Sequence, residues 1–194
     1  MPSIIRIGFV IIFLAVAERL PASAATIHIV AFGDSATAGW LVNPKDAYPA
    51  QLWKILRAKG YDVSVANAGI SGDTTKGALA RLDEAIGPNT DIALVEFGTN
   101  DLRLRVPVAT MHKNLTEIVR TLRKRKIEVL LIGLGSLDLS AIAKASGVPY
   151  AQWKLPPGNN RASDGQHFNA EGYARVTAQI LPQVISMIAR AEAK

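Results

Sequence analysis

The chain has 194 residues, no cysteine, and 22 Lys and Arg against 16 Asp and Glu, for a net charge of +6. Without thiols there can be no disulfide, thiolate zinc site or cysteine nucleophile, so the fold must be stable from its core alone. The basic excess is spread along the chain; its one dense run, Arg120 to Lys126, reads as a solvated helix end with cations near the C-terminal dipole, and no aromatic interleaving or motif points to a nucleic-acid partner.

Residues 1–24 have the layout of a signal peptide. Arg6 supplies a basic start, Ile7 to Ala17 an apolar stretch of eleven residues, and Ala22-Ser23-Ala24 a small-x-small cleavage site. Eleven apolar residues are too few for a bilayer-spanning helix, which needs about twenty, and Glu18 and Arg19 interrupt the segment. An uncleaved anchor is the alternative reading. The expectation is cleavage near Ala24/Ala25, a periplasmic or secreted product without a stable membrane anchor, and one domain over 25–194.

In chain order, near-continuous apolar runs fall at Ile27–Phe32, Tyr61–Ala66, Asp91–Phe97, Ile127–Leu134 and, more weakly, Val148–Trp153. Such runs suit strands buried on both faces, as in a parallel sheet. Amphipathic stretches separate them: Tyr48–Lys59, Thr75–Ile86, Pro107–Arg125, a short one near Leu139–Ser146, and Ala170–Ala191. Lys59-Gly60 and Ile86-Gly87-Pro88 are helix stops. Alternation of this kind predicts right-handed βαβ units and therefore an α/β fold, a three-layer α/β/α sandwich of about five parallel strands in the flavodoxin-like manner.

Four short motifs sit at chemically sensible places. Gly33-Asp34-Ser35 follows the first run, Ser71-Gly72-Asp73-Thr74 the second, and Gly98-Thr99-Asn100-Asp101 the third; Asp164-Gly-Gln-His167 precedes the last helix. In an open α/β sheet the first three converge beyond the carboxyl ends of the strands, and the fourth can return to that edge. A serine hydroxyl needs an imidazole to take its proton, and the imidazole needs a carboxylate to set its tautomer; Asp164 and His167 supply that pair on one loop. Taken singly, Ser35 also reads as a helix N-cap, Gly72 as a turn glycine and Asn100 as a loop cap. Residues 33–37 read Gly-Asp-Ser-Ala-Thr, which is not the G-x-S-x-G elbow of the larger α/β-hydrolase fold.

These four blocks in this order resemble the SGNH, or GDSL, hydrolase superfamily, and within it the small bacterial esterase, thioesterase and lysophospholipase type. The likeness runs from Ile27 to about Ala189, and includes Asn67-Ala-Gly-Ile-Ser-Gly-Asp-Thr-Thr75 and His167-Phe-Asn-Ala-Glu-Gly-Tyr173. The resemblance implies Ser35 as nucleophile, His167 as base and Asp164 as orienting acid. It implies an oxyanion hole from the backbone N–H groups of Ser35 and Gly72 and the side chain of Asn100. It implies a small-molecule ester substrate, with thioesters or lysophospholipids as further possibilities, and no cofactor or metal. His28 and His112 have no ligand partner at metal spacing and read as structural.

Departures from the family pattern bear on the substrate. Ala36 stands where relatives often carry leucine, which widens the wall beside Ser35. The stretch from Gly133 to Ser163 is shorter than in thioesterase-like relatives and ends in a stiff Leu155-Pro-Pro-Gly-Asn-Asn160, which leaves acyl preference open. In Leu102-Arg-Leu-Arg-Val106 the apolar residues are expected at the mouth and the arginines in solvent, with contact to an anionic substrate as the alternative. Carbohydrate O-deacetylation is the nearest rival activity, and a non-catalytic flavodoxin-like binding module the rival class.

Overall fold

The structure, a computed structural model, describes residues 25–154 and 159–194. The export segment expected at 1–24, and residues 155–158 of the stiff loop, lie outside the described residues.

The strands are β1 (Ile27–Gly33), β2 (Val63–Gly69), β3 (Ile92–Glu96), β4 (Glu128–Leu134) and β5 (Tyr150–Trp153), in one sheet of order β2-β1-β3-β4-β5. All four pairings are parallel. Along each strand the side chains alternate between faces. Ile27, Ile29 and Ala31 of β1 join one apolar cluster with Ile92, Leu94, Leu130 and Ile132. Val30 and Phe32 join the other with Ala93, Val95, Val129 and Leu131. Period-two alternation of apolar residues on both sides is what requires a helical layer on each face.

On the first face lie α2 (Tyr48–Ala58), which follows a 3-10 turn at Pro44–Asp46, and α8 (Ala170–Glu192). Helix α8 buries Tyr173, Val176, Ile180, Val184, Met187 and Ile188, at helical spacing. Burial of each such side chain contributes about 1.5–3 kcal/mol. The second face is covered by α3 (Thr75–Ala80), α4 (Leu82–Ala85), α6 (Val108–Lys124) and α7 (Ser140–Ser146). Two short helices, α1 (Ser35–Ala38) and α5 (Thr99–Arg103), start directly beyond β1 and β3.

Three details differ from the sequence reading. The stretch Thr75–Ile86 is two helices broken at Arg81, whose side chain is drawn to the sheet edge instead of the helix surface. The second strand starts at Val63 and is half-exposed, because it forms the edge of the sheet and needs no apolar outer neighbour. The helical turn α5 was not anticipated, since five residues show no periodicity.

Candidate active site

Strand order reverses between β1 and β3, and their carboxyl ends are level: Gly33 pairs with Gly69 on one side and Glu96 on the other. Crevices at such switch points are where α/β sheets bind ligands. A Cβ at Gly33 would collide with Thr37 Oγ1 and the Glu96 carbonyl oxygen, so only glycine lets the chain turn this tightly. The next residue, Asp34, is buried and caps α1, its Oδ1 accepting from the Ala36 N–H at 2.9 Å. Ser35 is thereby the first residue of a helical turn, with its hydroxyl facing the crevice.

His167 reaches Ser35 from the other end of the chain, its Nε2 lying 2.8 Å from Ser35 Oγ. Its Nδ1 is 2.5 Å from Asp164 Oδ2. Asp164 Oδ1 accepts the N–H groups of Gln166 and His167, both at 3.0 Å. The His167 hydrogen bond, followed by those two N–H groups, holds the Asp164 carboxyl down at about 2. A proton on Nδ1 toward Asp164 leaves the Nε2 lone pair free to receive the serine proton.

The loop carrying the pair is fastened at both ends. Phe168 is buried edge-on against the rings of Trp153 and Tyr173. Asn169 caps α8 by accepting from the Gly172 N–H at 2.8 Å. Ala162 N–H donates to the His167 carbonyl at 2.8 Å, and Arg161 bridges antiparallel to Phe168. His167 thus sits between a core anchor and a closed turn.

The remaining two candidates face the same crevice, a cavity of about 330 Å³ whose lining includes Ser35, Trp40, Gly72, Asn100, Arg103 and His167. Gly72 has φ +83°, with nothing within 4 Å of a would-be Cβ. Asn100 is buried in α5, and its Nδ2 donates to Asp34 Oδ2 at 3.0 Å and to the Asp73 carbonyl at 2.9 Å. Both amide hydrogens are therefore engaged inside the protein. Arg103 donates to Asn100 Oδ1 at 2.9 Å and fixes the amide orientation.

Arg103 and Arg105 are exposed, as expected, and Arg103 also lines the crevice; Leu102 and Leu104 are exposed as well, because the short turn of α5 does not separate the two sets. Trp40, 49% exposed, forms part of the wall with its ring centroid 6.5 Å from that of His167. His28 stands apart, its Nδ1 bonded to Ser64 Oγ at 2.8 Å on the opposite end of β1. Among the described residues no group of three or more His, Asp or Glu is placed to hold a metal ion.

Residues 31–140 match the GDSL-like lipase/acylhydrolase family. The chain belongs to that family. Arylesterase of Vibrio mimicus is 33% identical over 112 residues, covering 57% of this chain and 56% of its own length. Esterase TesA of Pseudomonas aeruginosa is 33% identical over 140 residues, covering 69% of each. A crystal structure of TesA superposes with a TM-score of 0.75 at 25% identity, over 82% of this chain and 99% of that one. The arylesterase match therefore spans little more than half of that relative. The family match itself stops short of Asp164 and His167.

Two residues that tie together the loops around this GDSL-like crevice were given no role by the sequence reading. Arg81 binds Asp73, the Ala68 carbonyl and the Gly33 carbonyl. Asp101 accepts from the Thr75 N–H at 2.9 Å and Thr75 Oγ1 at 2.6 Å, joining the second and third loops. The signal for Asp101 was present, since Asn100 and Asp101 adjoin. For Arg81 none was, as its position reads as one more polar residue of a helix face.

Proposed function

We propose that this GDSL-like chain is a serine ester hydrolase that works through an acyl-enzyme on Ser35. The observation that carries it is the single line Ser35 Oγ, His167, Asp164, formed at 2.8 and 2.5 Å across 132 residues of sequence. His167 Nε2 takes the Ser35 proton as Oγ attacks the ester carbonyl. Asp164, ionised at all working pH values, stabilises the imidazolium that results. The tetrahedral oxyanion is received by the backbone N–H groups of Ser35 and Gly72 and by one N–H of Asn100. His167 then gives its proton to the leaving alcohol, and a water activated by the same imidazole hydrolyses the acyl-enzyme.

A cavity of about 330 Å³ is at the small end for organic ligands and suits short to moderate acyl groups. The tests are fluorophosphonate labelling with peptide mapping, and a p-nitrophenyl ester panel of increasing acyl length beside thioesters, lysophospholipids and acetylated sugars. Labelling of Ser35 with hydrolysis of esters is the expected result. A chain that turns over none of them, and whose Ser35 is unlabelled, overturns the reading in favour of a binding module.

Residues 1–24 have the composition of an export signal, and no described helix is long and apolar enough to cross a membrane. We infer export with cleavage near Ala24. N-terminal sequencing of protein from its native host tests this, and a full-length chain in the cytosol refutes it.

A further inference from the structure

Directly behind Ser35 lies a carboxyl group that acyl transfer does not use. Glu96 is the last residue of β3, 1% exposed, and its Oε2 accepts from Thr37 Oγ1 at 3.0 Å. The parallel register that sets Gly33 beside Glu96 brings Asp34 against it. The two buried carboxyl groups are neighbours there, near enough for each to act on the other's ionisation. Asp34 in turn holds the Ala36 N–H through Oδ1 and the Asn100 amide through Oδ2.

We propose that Glu96 is a positioning residue for ester hydrolysis, which acts as a proton-bearing donor to Asp34 and thereby sets both the start of α1 at Ser35 and the Asn100 amide. The inference rests on the reading of Ser35 and Asn100 given above. Two carboxyl groups buried side by side inside a protein do not both ionise, because like charges there repel at low dielectric. Among the described residues no Lys or Arg pairs with either. The titratable groups around them, Tyr48 from α2, Tyr173 from α8, and Asp73 on the Asp34 side, are neutral or acidic; only His167 is basic. One proton therefore stays with the pair.

The direction in which that proton is shared follows from the partners. Asp34 accepts two N–H groups, which favours its carboxylate form, whereas Glu96 accepts a single hydroxyl and is the more deeply buried. Glu96 then carries the hydrogen and donates it to Asp34. An amide at position 96 can reproduce this arrangement, its oxygen accepting from Thr37 and its nitrogen donating to Asp34. A leucine cannot.

The experiment compares Glu96→Gln, Glu96→Leu and Ser35→Ala on one p-nitrophenyl ester, with circular dichroism melts for each. Glu96→Leu is expected to lower kcat by roughly ten- to a hundredfold with KM within about threefold, since an ill-aimed oxyanion donor acts on the transition state. Glu96→Gln is expected to restore kcat to within about threefold of wild type with an unchanged pH profile from 6 to 9. A folded Glu96→Leu variant with wild-type kcat overturns the inference, and so does a Glu96→Gln variant as impaired as the leucine. If the leucine variant does not fold, Glu96→Asp takes its place, because it retracts the carboxyl by one methylene; wild-type kcat there overturns the inference equally. Persisting activity in Ser35→Ala overturns the underlying reading and this inference with it, whereas an inactive Ser35→Ala beside a fully active Glu96→Leu removes Glu96 alone.

Discussion

Arg81 and Asp73 meet at 2.8 Å, and the other two arms of the same guanidinium hold the carbonyls of Ala68 and Gly33. One side chain thus ties the loop after β2 to the ends of β1 and β2, while stacking 4.6 Å above the Phe32 ring. The pair is largely removed from water, at 16% and 10% exposure. Breaking such a pair leaves the Asp73 charge without its counter-ion and takes a donor from two carbonyls.

Arg81→Ala should therefore cost about 2–4 kcal/mol, a fall in Tm of roughly 5–15 °C for a domain of this size. Turnover should fall too, because Gly72 rides on the loop that Arg81 pins. Arg81→Lys keeps the charge but not the fork, and should recover less than half of the loss. Thermal melts with kcat/KM on one ester check this; an alanine variant melting with wild type would show the clamp to be idle.

Asp164→Asn should leave the fold intact and reduce kcat by orders of magnitude near neutral pH, on the order of 10³-fold, because an amide neither fixes the His167 tautomer nor stabilises its cation. The stability effect has a defined sign. The Asp164 carboxyl is depressed in the folded state to about 2 from an ordinary 3.8, so its contribution is present above pH 3.8 and is lost as pH falls through 2. The Tm gap between wild type and Asp164→Asn should accordingly close over that interval. Near-normal turnover with a lowered Tm would make Asp164 a loop cap only.

The Glu96 carboxyl is displaced in the opposite direction, well above its ordinary 4.5, chiefly by burial and then by Asp34. A raised acid contributes its stability below the unfolded value and loses it as pH climbs through the folded one. Glu96→Gln, which has no proton to lose, should therefore gain in Tm relative to wild type as pH rises above 4.5. A gap that stays constant from pH 4 to pH 9 would contradict this.

Phe168→Ala removes a ring packed against Trp153 and Tyr173 immediately next to His167. Loss of the packing should cost about 3–5 kcal/mol. The surviving folded fraction should show a kcat deficit larger than its KM change, since the imidazole loses its mooring. Denaturant titration alongside steady-state kinetics separates the two effects, and a variant with lost stability but full kcat would place the mooring elsewhere.

How far this could be read in advance depends on how local each interaction is. The Asp164–His167 pair lies within four residues, and the N–H groups that hold the carboxylate belong to the same turn, so composition and spacing suffice to specify it. The strands and long helices were legible for a similar reason: Ile27, Ile29 and Ala31 against Val30 and Phe32, or Val176, Ile180 and Val184 along α8, carry their periodicity in the order of residues. Capping of α1 is local too, although the cap is Asp34 and not Ser35, the residue that reads as an N-cap in the sequence.

Lateral relationships left no such trace. Glu96 falls inside an apolar run and shows its purpose only once the register between β1 and β3 sets it beside Gly33 and Asp34. Arg81 occupies an ordinary helix position until the folded sheet edge offers it three acceptors, and the helix breaks there in consequence. Arg103 alternates with leucines along the chain, yet the turn of α5 carries it into the crevice. Sequence alone determined the periodic elements and the short-range pairs, because those depend on backbone geometry repeated every two or every 3.6 residues. Which side chains of different strands and loops would face one another was decided by strand order and register, which arise when the whole core closes and are written at no single position.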